Sequence, residues 1–378
     1  MTEIRYPFLD LATVNAPYLS EIKAALARVA DSGRYVGGDE VTRLENNLKN
    51  LTGVSCAIGV SNGLDALRMI LRGYMELGRL HPGDGVIVPS NTYIASVLAI
   101  TDCGLSPVFV DPSVDSLNLS ADGVARALDE NNAKALMTVH LYGRVAWDVD
   151  LKRLAIDNGL IVIEDNAQAI GAVAPVEGMA GDSRMTGALG HAAAFSFYPT
   201  KNIGALGDAG AVATSDSELA AAVRALANYG SDTRYHNIYR GWNCRLDPVQ
   251  AAVLNVKLPY LSVENGYRRE IAATYDREIA NPLVTKPLFV DSDIMVWHQY
   301  VVMSSRRDEL QRYLRANGVA TDIHYPTPIH RQPCYEAYSG LSLPIADKIS
   351  REALSLPVSR CTSIDDARAI ARIINKFE

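Results

Sequence analysis

The sequence predicts an α/β fold: a large, mostly parallel sheet covered by helices on both faces, followed by a smaller α+β region. Three observations predict it. Short continuous apolar runs recur through residue 163, they alternate with helix-period segments, and the pattern changes after about residue 255. A strand buried on both faces reads as an unbroken apolar run, and strands separated by helices pair in parallel.

The elements follow in order. Residues 17–31 have the spacing of an amphipathic helix, with Pro17 near its start and Asp31-Ser32-Gly33 at its end. A second helix follows Gly37-Gly38-Asp39 through Val41, Leu44, Leu48 and Leu51. Ala57-Ile58-Gly59-Val60 reads as a strand and 66–75 as a helix. Val86-Ile87-Val88 is again a strand and 94–103 a helix. Val108-Phe109-Val110, residues 135–139 and Leu160-Ile161-Val162-Ile163 continue the strand series. Further on, Ser305-Arg306-Arg307-Asp308 and Ser363-Ile364-Asp365-Asp366 have capping-box spacing and open helices, with Tyr325-Pro326-Thr327-Pro328 between them. The expected division is 1–255 for the large domain and 256–378 for the small one.

Composition narrows the function. The chain has 378 residues and a formal charge of −7. That balance excludes nucleic acid as the main partner, because such domains carry basic stripes, but leaves room for an anionic small ligand. The cysteines are five, with no CxxC, so no disulfide framework or structural zinc site is expected, and no metal. No apolar signal core opens the chain and no run approaches the roughly 18 apolar residues of a membrane span. The expected location is the cytoplasm.

Four places carry chemistry. In Phe195-Ser196-Phe197-Tyr198-Pro199-Thr200-Lys201, a lysine precedes the glycines Gly204, Gly207 and Gly210. A lysine held dry in a tight turn has a lowered pKa, and its neutral amine condenses with an aldehyde. A Walker loop is excluded, since there the lysine follows the glycines. Ser61-Asn62-Gly63-Leu64 leads from a strand into a helix. It reads equally as a phosphate nest at Gly63 and Leu64 or as a plain cap. Glu164-Asp165 closes an apolar run, with Gln168 three residues on, so Asp165 is a partner for a protonated ring nitrogen or a capping aspartate. Tyr93 follows a strand and turn, where an aromatic either stacks on a flat ring or joins the core. Together, an imine-forming lysine, a phosphate nest, a ring-nitrogen acid and a covering aromatic fit pyridoxal 5′-phosphate.

These segments, with His140-Leu141-Tyr142-Gly143, Gly241-Trp242-Asn243-Cys244-Arg245-Leu246-Asp247 and His324-Tyr325-Pro326-Thr327-Pro328-Ile329-His330, resemble the pyridoxal-phosphate nucleotide-sugar aminotransferases of the DegT/StrS type. The resemblance runs from Gly37-Gly38 to the final helices. It implies the aspartate aminotransferase-like fold, transferase fold type I. Lys201 then falls on the Schiff-base lysine, Asp165 on the pyridine-nitrogen partner, and Gln168 on the residue bonding the ring hydroxyl. Ser196, Gly63 and Leu64 fall on the phosphate cup and Tyr93 on the stacking position. Asn243 falls on a residue reaching the phosphate from a second subunit, which implies a homodimer with shared sites. Arg245, His324 and Tyr325 fall on sugar-nucleotide contacts.

The resemblance also implies the reaction. L-glutamate is the expected amino donor and a nucleotide-linked keto sugar the acceptor. Phe197-x-Pro199-x-Lys201 with Gly207-Asp208-Ala209-Gly210 matches members that aminate carbon 3 of a dTDP-linked 3-keto-6-deoxyhexose; members aminating carbon 4 more often carry Gly-Glu there. Lys201 itself separates the chain from the dehydratase branch, which has histidine at that position. Leu64 departs from the pattern, where a small hydroxyl residue is frequent. The alternatives are a carbon-4 aminotransferase on a UDP- or GDP-sugar, a dehydratase or lyase, and a non-catalytic regulator that binds the cofactor. A nicotinamide dehydrogenase fits less well, because no GxGxxG follows a strand.

Overall fold

The computed structural model describes residues 3–175, 183–289 and 294–378. The chain opens with α1 (Leu11–Asn15), α2 (Leu19–Ser32) and α3 (Asp39–Thr52). Gly33, at φ 67°, ends α2 where the sequence predicts. There follow β1 (Cys56–Val60), α4 (Gly63–Glu76), β2 (Gly85–Pro89), α5 (Ile94–Asp102), β3 (Ser106–Val110), α6 (Ala121–Glu130), β4 (Ala133–Val139), α7 (Val149–Asp157) and β5 (Ile161–Asp165). A small antiparallel pair, β6 (Val173–Pro175) and β7 (Ser183–Met185), precedes β8 (Ala192–Ser196), β9 (Gly210–Thr214) and α8 (Ser217–Leu226). A second pair, β10 (Ser231–Thr233) with β11 (His236–Asn237), leads to α9 (Pro248–Lys257) and α10 (Leu261–Glu278). The chain ends with β12 (Tyr300–Met303), α11 (Arg307–Ala316), α12 (Pro344–Glu352), β13 (Ala353–Leu356) and α13 (Ile364–Ile374).

Seven strands form one sheet in the order β1-β9-β8-β5-β4-β2-β3. The pairs from β8 to β3 are parallel, whereas β9 is antiparallel to both β8 and β1. Only β9 is reversed. The carboxyl ends of the other six strands therefore share an edge with the start of β9, the edge where ligands collect in open α/β sheets. Successive strand residues face opposite ways. Ile58, Val86, Val88, Met137 and Ile163 pack with α4 residues Leu67 and Ile70 on one face. Ile87, Leu136 and Val162 pack with Leu151 on the other, and Ala57 and Phe195 with Leu44 and Leu48. Covering both faces is what makes the strands uniformly apolar.

A separate core gathers β12 and β13 with α10, α11 and α13, through Tyr275, Trp297, Leu310, Leu354 and Ile370. It also takes Tyr6, whose backbone bonds to Gly318 and Ala320. Residue 255 falls inside α9, and Leu254 packs in the sheet core. We propose that the division lies after α9, with the stretch around Tyr6 belonging to the second core. At α13 the expected capping box is present: Ser363 accepts from Asp366, whose carboxylate accepts from Ser363. At α11 it is absent. Arg306 is the residue before the helix, and Ser304, one position earlier than expected, accepts its N–H. Among the described residues no helix is long and apolar enough to cross a membrane.

Val60, Gly210 and Ser196 lie side by side across three strands. A methyl group on Gly210 would overlap the Asn62 carbonyl, which leads into α4. Gly210→Ala is expected to cost about 1–3 kcal/mol in urea unfolding. Gly266→Ala is the control: it lies within α10 with open space around it, and is expected to be neutral or stabilising.

Candidate active site

Five chain segments meet at the shared edge of the sheet. The first is the entry to α4. Asn62 is its N-cap: its side chain accepts the Asp65 N–H at 2.8 Å, and its carbonyl accepts Ala66. The N–H groups of Gly63 and Leu64 have no intrahelical partner at this position. Gly63 sits so close to Ser196 that an added Cβ would lie 2.7 Å from the Ser196 Cβ. Two free N–H groups, a hydroxyl and a helix dipole make a compact anion cradle. The turn is a helix cap whose outer N–H groups suit an anion.

The second is the end of β5. Pleating sends Glu164 and Asp165 to opposite faces. Glu164 turns inward and accepts the N–H groups of Gly187, Leu189 and Gly190 at 2.7–2.8 Å, and its Oε2 lies 3.0 Å from His140 Nε2. It anchors the chain leading into β8. Asp165 faces the site edge, where Ser96 Oγ donates to it at 2.7 Å and Ala167 N at 3.2 Å. Thr92 Oγ1 lies 2.8 Å from Ser96 Oγ. A carboxylate has about four acceptor sites, so Asp165 retains capacity for another donor.

The third is the turn after β8, which carries Lys201. Lys201 N donates to Tyr198 O and Ala205 N to Phe197 O, both at 2.8 Å. Gly204 passes so close to Pro199 that any side chain there would overlap its backbone. Lys257 Nζ, from α9, donates to Gly204 O at 2.6 Å and Asn15 Oδ1 at 2.9 Å, and Gln250 Oε1 accepts Leu206 N at 2.9 Å. Asn202 is held by Asn265 and Val296. Burial pulls the Lys201 amine down to about 8, opposed by the Asp165 charge that favours the ammonium.

The fourth and fifth are the turns after β2 and around 324. Tyr93 is 53% exposed, its ring 5.2 Å from that of Tyr325. Gln168 Oε1 accepts Tyr142 N at 2.6 Å, and its Nε2 donates to Tyr325 Oη at 3.1 Å, which leaves one amide hydrogen free. Tyr142 Oη donates to His324 O at 2.6 Å. His324 Nδ1 lies 2.8 Å from Ser355 Oγ, and burial lowers its pKa. A cavity of about 330 Å³ lies beside Tyr142, lined by Leu117, Arg144, Met295 and Trp297; Lys201 does not line it.

The fold thus brings together Lys201, Asp165, Gln168, Tyr93, His324 and Tyr325, with Gly63, Leu64 and Ser196 as the cradle. Asn243 and Arg245 are placed differently. Asn243 is exposed and pairs with Asn228, and Arg245 Nη1 donates to Asn228 Oδ1 at 2.9 Å with its guanidinium over Tyr229. Neither points to Lys201 of the same chain by any contact. Residues to which the motifs assigned no role also enter: Ser96, three positions beyond Tyr93, Tyr142, from the His140-Leu141-Tyr142-Gly143 motif, and Asn202 and Lys257. Their partners are distant in sequence. Among the described residues no group of three or more His, Cys, Asp or Glu side chains gathers to hold a metal ion.

Comparison with known proteins gives a consistent result. The sequence pattern of the DegT/DnrJ/EryC1/StrS aminotransferase family matches residues 18–375. The chain is 43% identical over 371 residues to a dTDP-3-amino-3,6-dideoxy-alpha-D-galactopyranose transaminase of Aneurinibacillus thermoaerophilus, covering 98% of this chain and 99% of that protein. It is 45% identical over 358 residues to a dTDP-3-amino-3,4,6-trideoxy-alpha-D-glucose transaminase of Streptomyces venezuelae, covering 94% and 91%. The crystal structure of S. venezuelae DesV in complex with a ketimine intermediate superposes with a TM-score of 0.92 at 42% identity, covering 99% of this chain and 98% of that one.

A lowered pKa has a measurable consequence. The neutral Lys201 amine is the reactive form, and its fraction rises with pH through about 8. At pH 7.5 that is on the order of a hundredfold more neutral amine than an ordinary lysine offers. The rate at which an aldehyde reagent labels Lys201 in the cofactor-free protein is expected to reach its plateau above a midpoint near 8. A midpoint near the ordinary lysine value contradicts this.

Proposed function

The chain belongs to the DegT/DnrJ/EryC1/StrS aminotransferase family, and on that premise we propose that it moves an amino group from L-glutamate to carbon 3 of a dTDP-linked 3-keto-6-deoxyhexose, giving a 3-amino-3,6-dideoxy sugar. It is an aminotransferase, it depends on pyridoxal 5′-phosphate, and its fold is the α/β fold of these enzymes. The observation that carries the choice of carbon 3 and dTDP is the likeness, across nearly the whole chain, to two dTDP-3-amino-sugar transaminases. Gly207-Asp208 agrees with it.

The residues present fit the cofactor. Free N–H groups at Gly63 and Leu64, beside Ser196, suit a phosphate. Asp165 has capacity for the protonated ring nitrogen, Gln168 has a free hydrogen for the ring hydroxyl, and Tyr93 stands where it covers a flat ring. When bound, the cofactor supplies an electron sink for the pair left as a proton leaves the carbon beside a substrate amine. Lys201, with its amine near neutrality, holds the aldehyde end and then serves as the base that takes the proton and returns it. Asp165 keeps the ring nitrogen charged, and Ser96 holds Asp165 in place. Leu64 contributes its N–H alone to the cradle.

Two features support a homodimer. Tyr235, Tyr229 and Trp242 are exposed at 88%, 52% and 41%, close in sequence to Asn243 and Arg245. Tyr229 and Trp242 are neighbours through the bond from Tyr229 N to Trp242 O, and paired exposed aromatics suit a contact site. Asn243 and Arg245, which are held to Asn228 and make no hydrogen bond to their own Lys201, then serve the site of a second copy, where Arg245, His324 and Tyr325 meet the diphosphate and sugar. Arginine suits that task, since the chain as a whole repels a diphosphate.

The test begins with purified protein loaded with pyridoxal 5′-phosphate. L-glutamate alone is expected to bleach its near-visible absorbance band, and a dTDP-3-keto-6-deoxyhexose to restore it, while 4-keto UDP- or GDP-sugars leave it bleached. A band that glutamate does not touch argues for a regulator or lyase instead. Lys201→Ala is expected to lose turnover by at least about a thousandfold, as removal of a base that also holds the cofactor implies.

A further inference from the structure

The cavity beside Tyr142 has no part in the assignments above. It opens where the turns after β3 and β4 meet β12 and α12, and its volume is about 330 Å³. Its walls are apolar: Leu117, Leu141, Val301 and Ile349 line it and belong to the second core. Three lining residues, Leu117, Tyr142 and Trp297, have φ of 57°, 60° and 48°. Bulky side chains rarely take that left-handed backbone, and residues held there cluster at ligand clamps and switch regions.

The lining carries three cations, and two are already paired. Lys286 Nζ lies 3.7 Å from the Asp276 carboxylate and Lys348 Nζ lies 4.0 Å from that of Glu352. Arg144 differs. Its backbone is fixed opposite Met295 and its Nη1 donates to Leu288 O at 3.1 Å, but among the described residues no carboxylate pairs with it. A guanidinium carries five N–H donors, so most of this one remain open. The side chain is half-buried, and burial pulls its pKa down with no counter-charge to oppose it. Of the lining acids, Glu352 is taken by Lys348, and Asp115 is exposed, where water weakens its pull.

We propose that this cavity is a second ligand site, which takes a monocarboxylate with an apolar body and bears on the active site through Tyr142. One guanidinium fork matches one carboxylate, and the walls take the hydrocarbon. A dicarboxylate such as glutamate or 2-oxoglutarate would press its second charge against apolar walls, which is costly, so the cavity is not a site for the amino donor. Tyr142 is the wall shared with the active site. It lines the cavity, its N–H donates to Gln168 Oε1 at 2.6 Å and its hydroxyl donates to His324 O at 2.6 Å. An occupant that moves Tyr142 therefore moves Gln168, and this step rests on the reading of Gln168 as the partner of the cofactor's ring hydroxyl.

The test titrates protein loaded with pyridoxal 5′-phosphate against octanoate by calorimetry. Saturable binding of one octanoate per chain is expected, with a dissociation constant of about 1 mM or tighter. Acetate lacks the apolar body, octan-1-ol lacks the charge and 2-oxoglutarate carries a second one, so each is expected to bind at least about tenfold more weakly. Arg144→Gln is expected to weaken octanoate about tenfold, as loss of hydrogen bonds to a charged group implies, with Arg144→Lys, which keeps the charge without the fork, in between. Lys348→Gln is the control and is expected to leave binding unchanged, because that lysine is already paired. Octanoate that does not saturate, or that binds both Arg144 variants as well as wild type, overturns the site. Tighter binding of 2-oxoglutarate than of octanoate overturns the ligand class. The link is read on the near-visible absorbance band, which octanoate is expected to shift with its half-effect at the calorimetric midpoint. A band that stays in place while octanoate is bound overturns the link through Tyr142. Binding heat does not depend on turnover. The site can therefore fail while glutamate still bleaches the band, and glutamate can fail to bleach it while octanoate binds.

Discussion

The site depends on one arrangement: an amine buried deeply enough to lose its proton near neutral pH, with a single carboxylate close by to limit the loss. Burial alone drives Lys201 downward, and Asp165 holds it at about 8. The two groups come from neighbouring strands of the sheet, β5 and β8, paired in parallel with Asp165 opposite Ala194. Parallel neighbours end on the same edge, so the pairing of strands sets the spacing of the charges. The cradle follows from the same edge, because β1 and the start of the reversed β9 bring Gly63 and Gly210 against Ser196.

An amine held this way must be kept from swinging to solvent, and the Lys201 turn is restrained from three directions. Gly204 lets the chain pass against Pro199, where no side chain fits. Lys257 and Gln250 reach it from α9. Asn202 fastens it to α10 and to the segment before β12. Lys257 is itself buried and drawn down to about 8, so the fold places a second desolvated lysine beneath the first to grip one carbonyl. Desolvating two amines costs stability, which the surrounding core offsets. The second core is thus part of the site: Tyr325 packs against it and bonds Gln168, and its neighbour His324 accepts from Tyr142.

Strands β1 to β5 were legible because both faces of the sheet are covered, as Val86-Ile87-Val88 and Leu160-Ile161-Val162-Ile163 show, whereas β8 and β9 were not read as strands. Direction was not legible, since an apolar run looks the same either way, and β9 carries no mark of its reversal. Local chemistry was visible wherever it was contiguous: Ser61-Asn62-Gly63-Leu64, Asp165 with Gln168, and Lys201 with its glycines. The helix at 307 shows the limit: Ser305 has the spacing of a cap, yet Arg306 takes the capping position with no side-chain bond. Contacts between remote segments left no trace. Ser96 reaches Asp165 across 69 positions and His298 reaches Asn202 across 96. Glu164 was visible as a carboxylate, but its role as an anchor for the glycines at 187 and 190 emerges only once pleating has turned it away from Asp165.

The central claim is that the Asp165 charge sets the state of Lys201. The direct test is the pH dependence of Lys201 labelling in cofactor-free Asp165→Asn protein, compared with wild type. Removing the negative charge leaves burial unopposed, so the midpoint is predicted to fall below the wild-type value of about 8. A midpoint that stays in place or rises would show that the carboxylate does not govern the amine, and the account of the site would fail with it.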